Sequence, residues 1–273
     1  MAKLPTTNIG GLEVSRMLCG SNQFMGYSHF SAARDAWFKK YFTVERMVEV
    51  MAVCDSYGVN AIVSGPEEKI YKSIQELERQ TGSHWIWFCT PTPGAGEDEV
   101  KWCADHGAEF CMPHTCWTDA RLNVRDCRIE DYDRLAEMIR NHGMIPGLST
   151  HRPEAIRIAD DAGLDVETYT QPFNVMGFLC AVETDWMANI IQNAKKPVIC
   201  IKPFAAGRLM VKPGLEFVYH NCKPEDTCCA GFMSPEEADE DIRIALEVLE
   251  GVEAGVKLTY SRSKQILGAK KEA

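Results

Sequence analysis

Short apolar runs rich in β-branched and aromatic residues alternate along this chain with longer stretches whose apolar positions recur at helical spacing. The short runs predict eight strands, at residues 17–20, 61–64, 85–90, 110–114, 145–149, 168–172, 198–202 and 227–231. The amphipathic stretches predict helices at 44–57, 68–80, 98–105, 129–141, 153–162, 185–193 and 235–252. Two helix starts carry their own marks: Pro153 at a first helical position, and the capping sequence Ser234-Pro235-Glu236-Glu237. The segment after the seventh strand reads as loop. Strand followed by crossover helix, repeated around the chain, predicts a parallel sheet closed on itself, an α/β fold of the (β/α)8 TIM barrel type. Ahead of the first strand, Asn8-Ile9 and Leu12-Glu13-Val14 flank Gly10-Gly11, which predicts an N-terminal β-hairpin. No linker-like stretch divides the 273 residues, so one domain is expected over the whole length.

Barrels of this kind carry their sites at the C-terminal ends of the strands. Those ends bear Asn22, Glu67, His114, His151, Gln171, Lys202 and Arg208. A long aromatic loop at 21–42, with Phe24, Tyr27, His29, Phe30, Trp37 and Phe38, is expected to cover the mouth. His114 lies at a strand end, where an imidazole suits acid–base work near neutral pH. His151 stands on the turn before Pro153, either in the mouth or on its rim. Glu67 is a further acid or base, or simply a carboxylate favoured at a helix start. Lys202 and Arg208 flank the turn after strand seven and read as holders of an anionic group, with Asn22 and Tyr27 as further substrate contacts. Glu167, Tyr169 and Gln171 alternate on strand six, which puts all three on one face, expected to be the barrel interior. His29, His114 and His151 form the one set that would take a divalent metal, but they lack HxH or HxxxH spacing, and no metal is expected.

Several segments together resemble the aldo-keto reductases. Ile9-Gly10-Gly11-Leu12-Glu13-Val14-Ser15-Arg16 is similar to their opening hairpin, and Tyr57-Gly58-Val59-Asn60 to the approach to their second strand. Gly147-Leu148-Ser149-Thr150-His151-Arg152-Pro153, Gln171-Pro172-Phe173-Asn174, Lys202-Pro203-Phe204-Ala205-Ala206-Gly207-Arg208-Leu209 and Ala230-Gly231-Phe232-Met233-Ser234-Pro235 resemble the turns after strands five to eight. The resemblance implies a catalytic tetrad of Tyr, Lys, Asp and His, and this chain carries a degenerate one. The Asp position falls on Val63, no Tyr follows in Ser64-Gly65-Pro66-Glu67-Glu68, and the Lys position falls at Thr90 or Pro91. His114 matches the His. The resemblance also implies that Ser149, Gln171 and Asn174 hold a nicotinamide. An NAD(H) cofactor is therefore open, whereas Glu236, Glu237, Asp239, Glu240 and Asp241 would repel the 2′-phosphate of NADPH.

Charge and cysteine usage narrow the rest. A net charge of -10 excludes nucleic acid and anionic membrane surfaces as expected partners. Met1 to Thr7 lack the apolar core of a secretory signal, and twelve scattered cysteines without a CxxC pair read as reduced thiols, so a cytoplasmic protein is expected. The favoured reading is an enzyme that acts on a small polar carbonyl or sugar-like substrate by acid–base chemistry of lyase or isomerase type. An NAD(P)(H)-dependent oxidoreductase of aldo-keto reductase type is the alternative, and a non-catalytic barrel that binds a ligand or partner is the second.

Overall fold

The computed structural model describes residues 2–92 and 97–256. Eight parallel barrel strands are present: Met17–Gly20, Ala61–Ser64, Ile86–Cys89, Phe110–Cys111, the pair Ile145–Pro146 and Leu148–Ser149, Tyr169–Pro172, Val198–Ile201 and Thr227–Ala230. The fifth strand is broken at Gly147. Its first half pairs with strand four and its second half with strand six, and this closes the sheet. Glycine is required at that break, because a Cβ on Gly147 would stand 2.6 Å from Met112 Cγ and 3.1 Å from the Thr168 carbonyl.

Strand residues alternate between two cores. Leu18, Ala61, Ile86, Phe88, Phe110, Met112, Ile199 and Cys229 fill the barrel, and the Phe88 and Phe110 rings stack 4.1 Å apart. Their neighbours Met17, Ile62, Trp87, Cys111, Tyr169 and Cys200 face the helices. The expected hairpin is formed by Thr6–Ile9 and Leu12–Ser15, with Gly10 at φ 58° and Gly11 at φ 89°. These left-handed angles define the tight hairpin turn that glycine allows. Ile9 and Val14 are fully buried with the interior core, so the hairpin plugs the N-terminal end of the barrel. The opposite end is the mouth.

Three expectations need correction. The stretch 21–42 is largely helical, as Asn22–Met25 and Ala32–Tyr41, and its Phe24, Phe38 and Phe42 are buried against one another. The stretch after strand seven holds a helix, Val211–Asn221. Pro213 lies in its first turn, where the missing N–H has no intrahelical partner to lose. Gly214 lets the helix approach the Phe204 ring, which a Cβ would meet at 3.0 Å. Finally, residues 129–141 begin as a short antiparallel ladder, Leu122–Asn123 with Arg128–Ile129, before the helix Tyr132–Asn141.

Candidate functional site

The mouth is organised around Lys202. It directly follows the seventh strand and takes φ 61°, a left-handed conformation that costs a lysine about 1 kcal/mol. Ala205, Ala206 and Gly207 continue at positive φ, so the chain leaves the strand in a tight coil. Lys202 Nζ lies 3.2 Å from Nε2 of His151, which follows the fifth strand. An ammonium only donates, so His151 Nε2 accepts and its Nδ1 carries the proton. Burial, then the positive charges of Lys202, His114 and His29, press the His151 imidazole down to about 3. It stays neutral. Burial also lowers Lys202 to about 8, weakly opposed by the neighbouring Cys229 and Cys180 thiols. Among the described residues Lys202 has no carboxylate partner.

His114 stands at the end of strand four as the N-cap of the helix Thr115–Arg121. Its Nδ1 accepts the Cys116 N–H at 3.3 Å and lies 3.1 Å from the Cys116 thiol. With Nδ1 accepting, the proton sits on Nε2, and among the described residues no partner takes it. Burial and then Lys202 lower its pKa, with Asp119 opposing them. One nitrogen holds a helix start, and the other is left as a donor at a strand end.

His29, His114 and His151 are brought within electrostatic reach of Lys202. Among the described residues no group of three or more His, Cys, Asp or Glu is placed to hold a metal. A lysine ammonium in their midst would also oppose a divalent cation. Two residues that the sequence did not single out shape the strand ends. Asp119 accepts hydrogen bonds from the Thr150 hydroxyl and, at 3.3 Å, from the His151 N–H, and so fixes the turn that carries His151. Gln23 fills the space over Gly231 and donates to the Gly20 carbonyl at 2.9 Å.

The remaining expected residues make contacts of their own. Arg208 donates to the Ala205 carbonyl at 3.0 Å and the His29 carbonyl at 3.2 Å, and it lies over the Phe30 and Phe178 rings. It therefore clasps the loops after strands one, six and seven, beside His29. Asn22, at the start of the helix Asn22–Met25, and Tyr27 just beyond it are exposed, joined by the Tyr27 N–H to Asn22 carbonyl bond of 2.8 Å. Glu67 precedes the helix Glu68–Thr81 without capping it, and its charge acts on Lys69.

Ser149 shares its hydroxyl with Thr115 at 3.0 Å and Thr170 at 2.7 Å inside the barrel. Asn174 closes its own loop, donating to the Phe178 carbonyl and accepting the Phe178 N–H. Gln171 requires a correction. It pairs in register with Cys200, between Tyr169↔Val198 and Pro172↔Ile201, so it shares the outward face with Tyr169 and Cys200. The strand's interior residues here are Thr170 and Pro172. A slip of one residue moves every side chain to the other face of a sheet. Gln171 is fully buried there, with neither amide atom hydrogen-bonded.

No family model matches the chain, and no curated protein matches it in sequence. Solved structures do match its shape. A protein from Pseudomonas aeruginosa assigned as an aldo-keto reductase superposes with a TM-score of 0.67 at 16% identity, over 91% of this chain and 98% of that one. The chain has the aldo-keto reductase fold. The holo form of an aldo-keto reductase from Bacillus halodurans gives a TM-score of 0.59 at 11% identity, covering 93% of this chain and 98% of its own. An aldo/keto reductase from Klebsiella pneumoniae in complex with NADP and acetate gives 0.57 at 13%, covering 96% and 94%.

The 2′-phosphate of NADPH does not fit the residues that follow the eighth strand. At the start of the helix Pro235–Glu250, the Met233 N–H is taken by the Glu237 carboxylate and the Glu237 N–H by the Ser234 hydroxyl. Pro235 has no N–H. Burial, with Glu240 nearby, raises the pKa of Glu237, and burial with both glutamates raises Asp241 to about 8. A phosphate would therefore meet donors already taken and a crowd of acidic side chains in place of a cation. Quenching of the six tryptophans by NADPH is expected only at high micromolar concentrations or above. Tight quenching at low micromolar NADPH would contradict this account of the helix Pro235–Glu250. Among the described residues no helix is long and apolar enough to cross a membrane.

Proposed function

We propose that this chain is an enzyme that binds a small polar carbonyl compound in the barrel mouth and acts on it by acid–base chemistry. Lys202, His151 and His114 are the groups that meet the carbonyl, and a lyase or isomerase reaction follows from them. The observation that carries this reading is the contact between Lys202 Nζ and His151 Nε2 at 3.2 Å. It joins an amine without a carboxylate partner to a neutral imidazole, across two strand ends. The His114 Nε2–H supplies a donor for a carbonyl oxygen, and such a donor steadies the charge that develops there when a neighbouring proton is removed. Asp119 acts through His151 and is a positioning residue.

The second reading is an NAD(H)-dependent oxidoreductase that works on carbonyl compounds in the same mouth. The fold neighbours favour it over lyase or isomerase chemistry, since the proteins named above are described as aldo-keto reductases and one was solved with NADP. The outward Gln171 opposes it. Incubation with dihydroxyacetone in deuterated water separates the two. Exchange of its C–H protons without added nucleotide supports acid–base chemistry at the carbonyl's neighbour. Turnover that appears only with NADH supports the oxidoreductase.

A further inference from the structure

We propose that Lys202 captures its substrate covalently, as an imine with a small aldehyde or ketone. This rests on the carbonyl site described above and adds to it a nucleophile and a substrate class. The half-buried Lys196 and Lys223 are neutralised by Glu167 at 2.9 Å and Asp226 at 2.7 Å. Lys202 instead meets an uncharged acceptor, His151 Nε2. A lysine needs the counter-charge if it is to stay an ammonium, and it needs its absence if it is to act as an amine. Lys202 also holds a left-handed backbone that a glycine would adopt without cost, which fits a side chain kept there for its chemistry.

The surroundings suit each step. The Lys202 nitrogen lone pair forms the C–N bond while the carbonyl π pair moves to oxygen, which takes a proton from the nitrogen. A second proton, from solvent, lets that hydroxyl leave as water and gives the protonated imine. His151 Nε2 accepts an N–H of the amine and so aims its lone pair. The free Nε2–H of His114 donates to the oxygen as charge gathers on it. With Lys202 near 8, its free-amine fraction at pH 7 exceeds that of an ordinary lysine by roughly 10²-fold.

The test is reductive trapping. The full-length protein is incubated with dihydroxyacetone and sodium cyanoborohydride, then weighed intact and mapped by peptides. One adduct is expected, with the mass of dihydroxyacetone less one oxygen atom, located on Lys202 and formed with a pH midpoint near 8. Lys202→Met should lose it, and the wild-type peptide map makes the assignment even if that variant folds poorly. Adducts spread evenly over surface lysines would overturn the imine. Saturation-transfer NMR with dihydroxyacetone, without reductant, tells the two ideas apart. Binding without an adduct removes the imine and leaves the carbonyl site standing. Neither binding nor adduct removes both.

Discussion

Replacing His114 by Asn is expected to lower turnover on a carbonyl substrate about 10²-fold or more, with the melting temperature unchanged. The size is that of a lost general acid–base or carbonyl-orienting group. Asparagine is chosen because His114 caps the helix Thr115–Arg121 through Nδ1, and an asparagine side chain is a strong N-cap. His114→Gln reaches as far as the imidazole but caps poorly, so it should lose the same activity and, in addition, about 1 kcal/mol of stability. Steady-state kinetics with thermal denaturation of both variants checks this. Full turnover in His114→Asn would show that the Nε2–H does no chemistry. Equal loss of fold in both variants would show a purely structural histidine.

Asp241→Asn is expected to stabilise the protein increasingly as pH rises. Asp241 is almost wholly buried on the helix Pro235–Glu250, one carboxylate oxygen lacks a partner, and Glu237 and Glu240 lie close. Burial, first, and those two charges raise its folded pKa to about 8, far above the unfolded value near 4. The folded state therefore keeps the proton that the unfolded state gives up. Below pH 4 both states are protonated and the residue carries no penalty. Between pH 4 and 8 the penalty grows, and above pH 8 it levels off at several kcal/mol. The difference in melting temperature between Asp241→Asn and wild type should be near zero at pH 4 and reach several degrees at pH 8. A difference that does not change with pH would mean that Asp241 ionises freely in the folded state.

Much of the fold was legible because barrel strands are buried on both faces and read as short apolar runs. Helices with a clear apolar face, such as Glu68–Thr81 with its buried Ile70, Ile74 and Leu77, were equally plain. Ala32–Tyr41 was not, because it buries only Phe38 and presents Trp37, Lys39 and Lys40 outward. Val211–Asn221 was hidden by Pro213 and Gly214, whose usual meaning is a break. In the site, strand ends gave His114, His151 and Lys202. The contact between His151 and Lys202 came only from the barrel's closure, which joins residues 51 positions apart.

Face assignment is where sequence reasoning failed. Gln171 sits one residue from an interior position, and nothing in Thr170-Gln171-Pro172 says which residue turns inward. Asp119 escaped notice because its partners, Thr150 and the His151 N–H, belong to the next strand's turn. The clasp of Arg208 on backbone carbonyls and aromatic rings has no sequence signature.

The most direct test of the carbonyl site is saturation-transfer NMR of dihydroxyacetone against wild type and a His114→Asn, Lys202→Met double variant of confirmed fold, at equal concentration and without nucleotide. The account predicts saturation transfer with wild type and its loss in the double variant. Equal transfer with both proteins, or transfer with wild type only after NADH is added, would contradict a carbonyl site built from these residues.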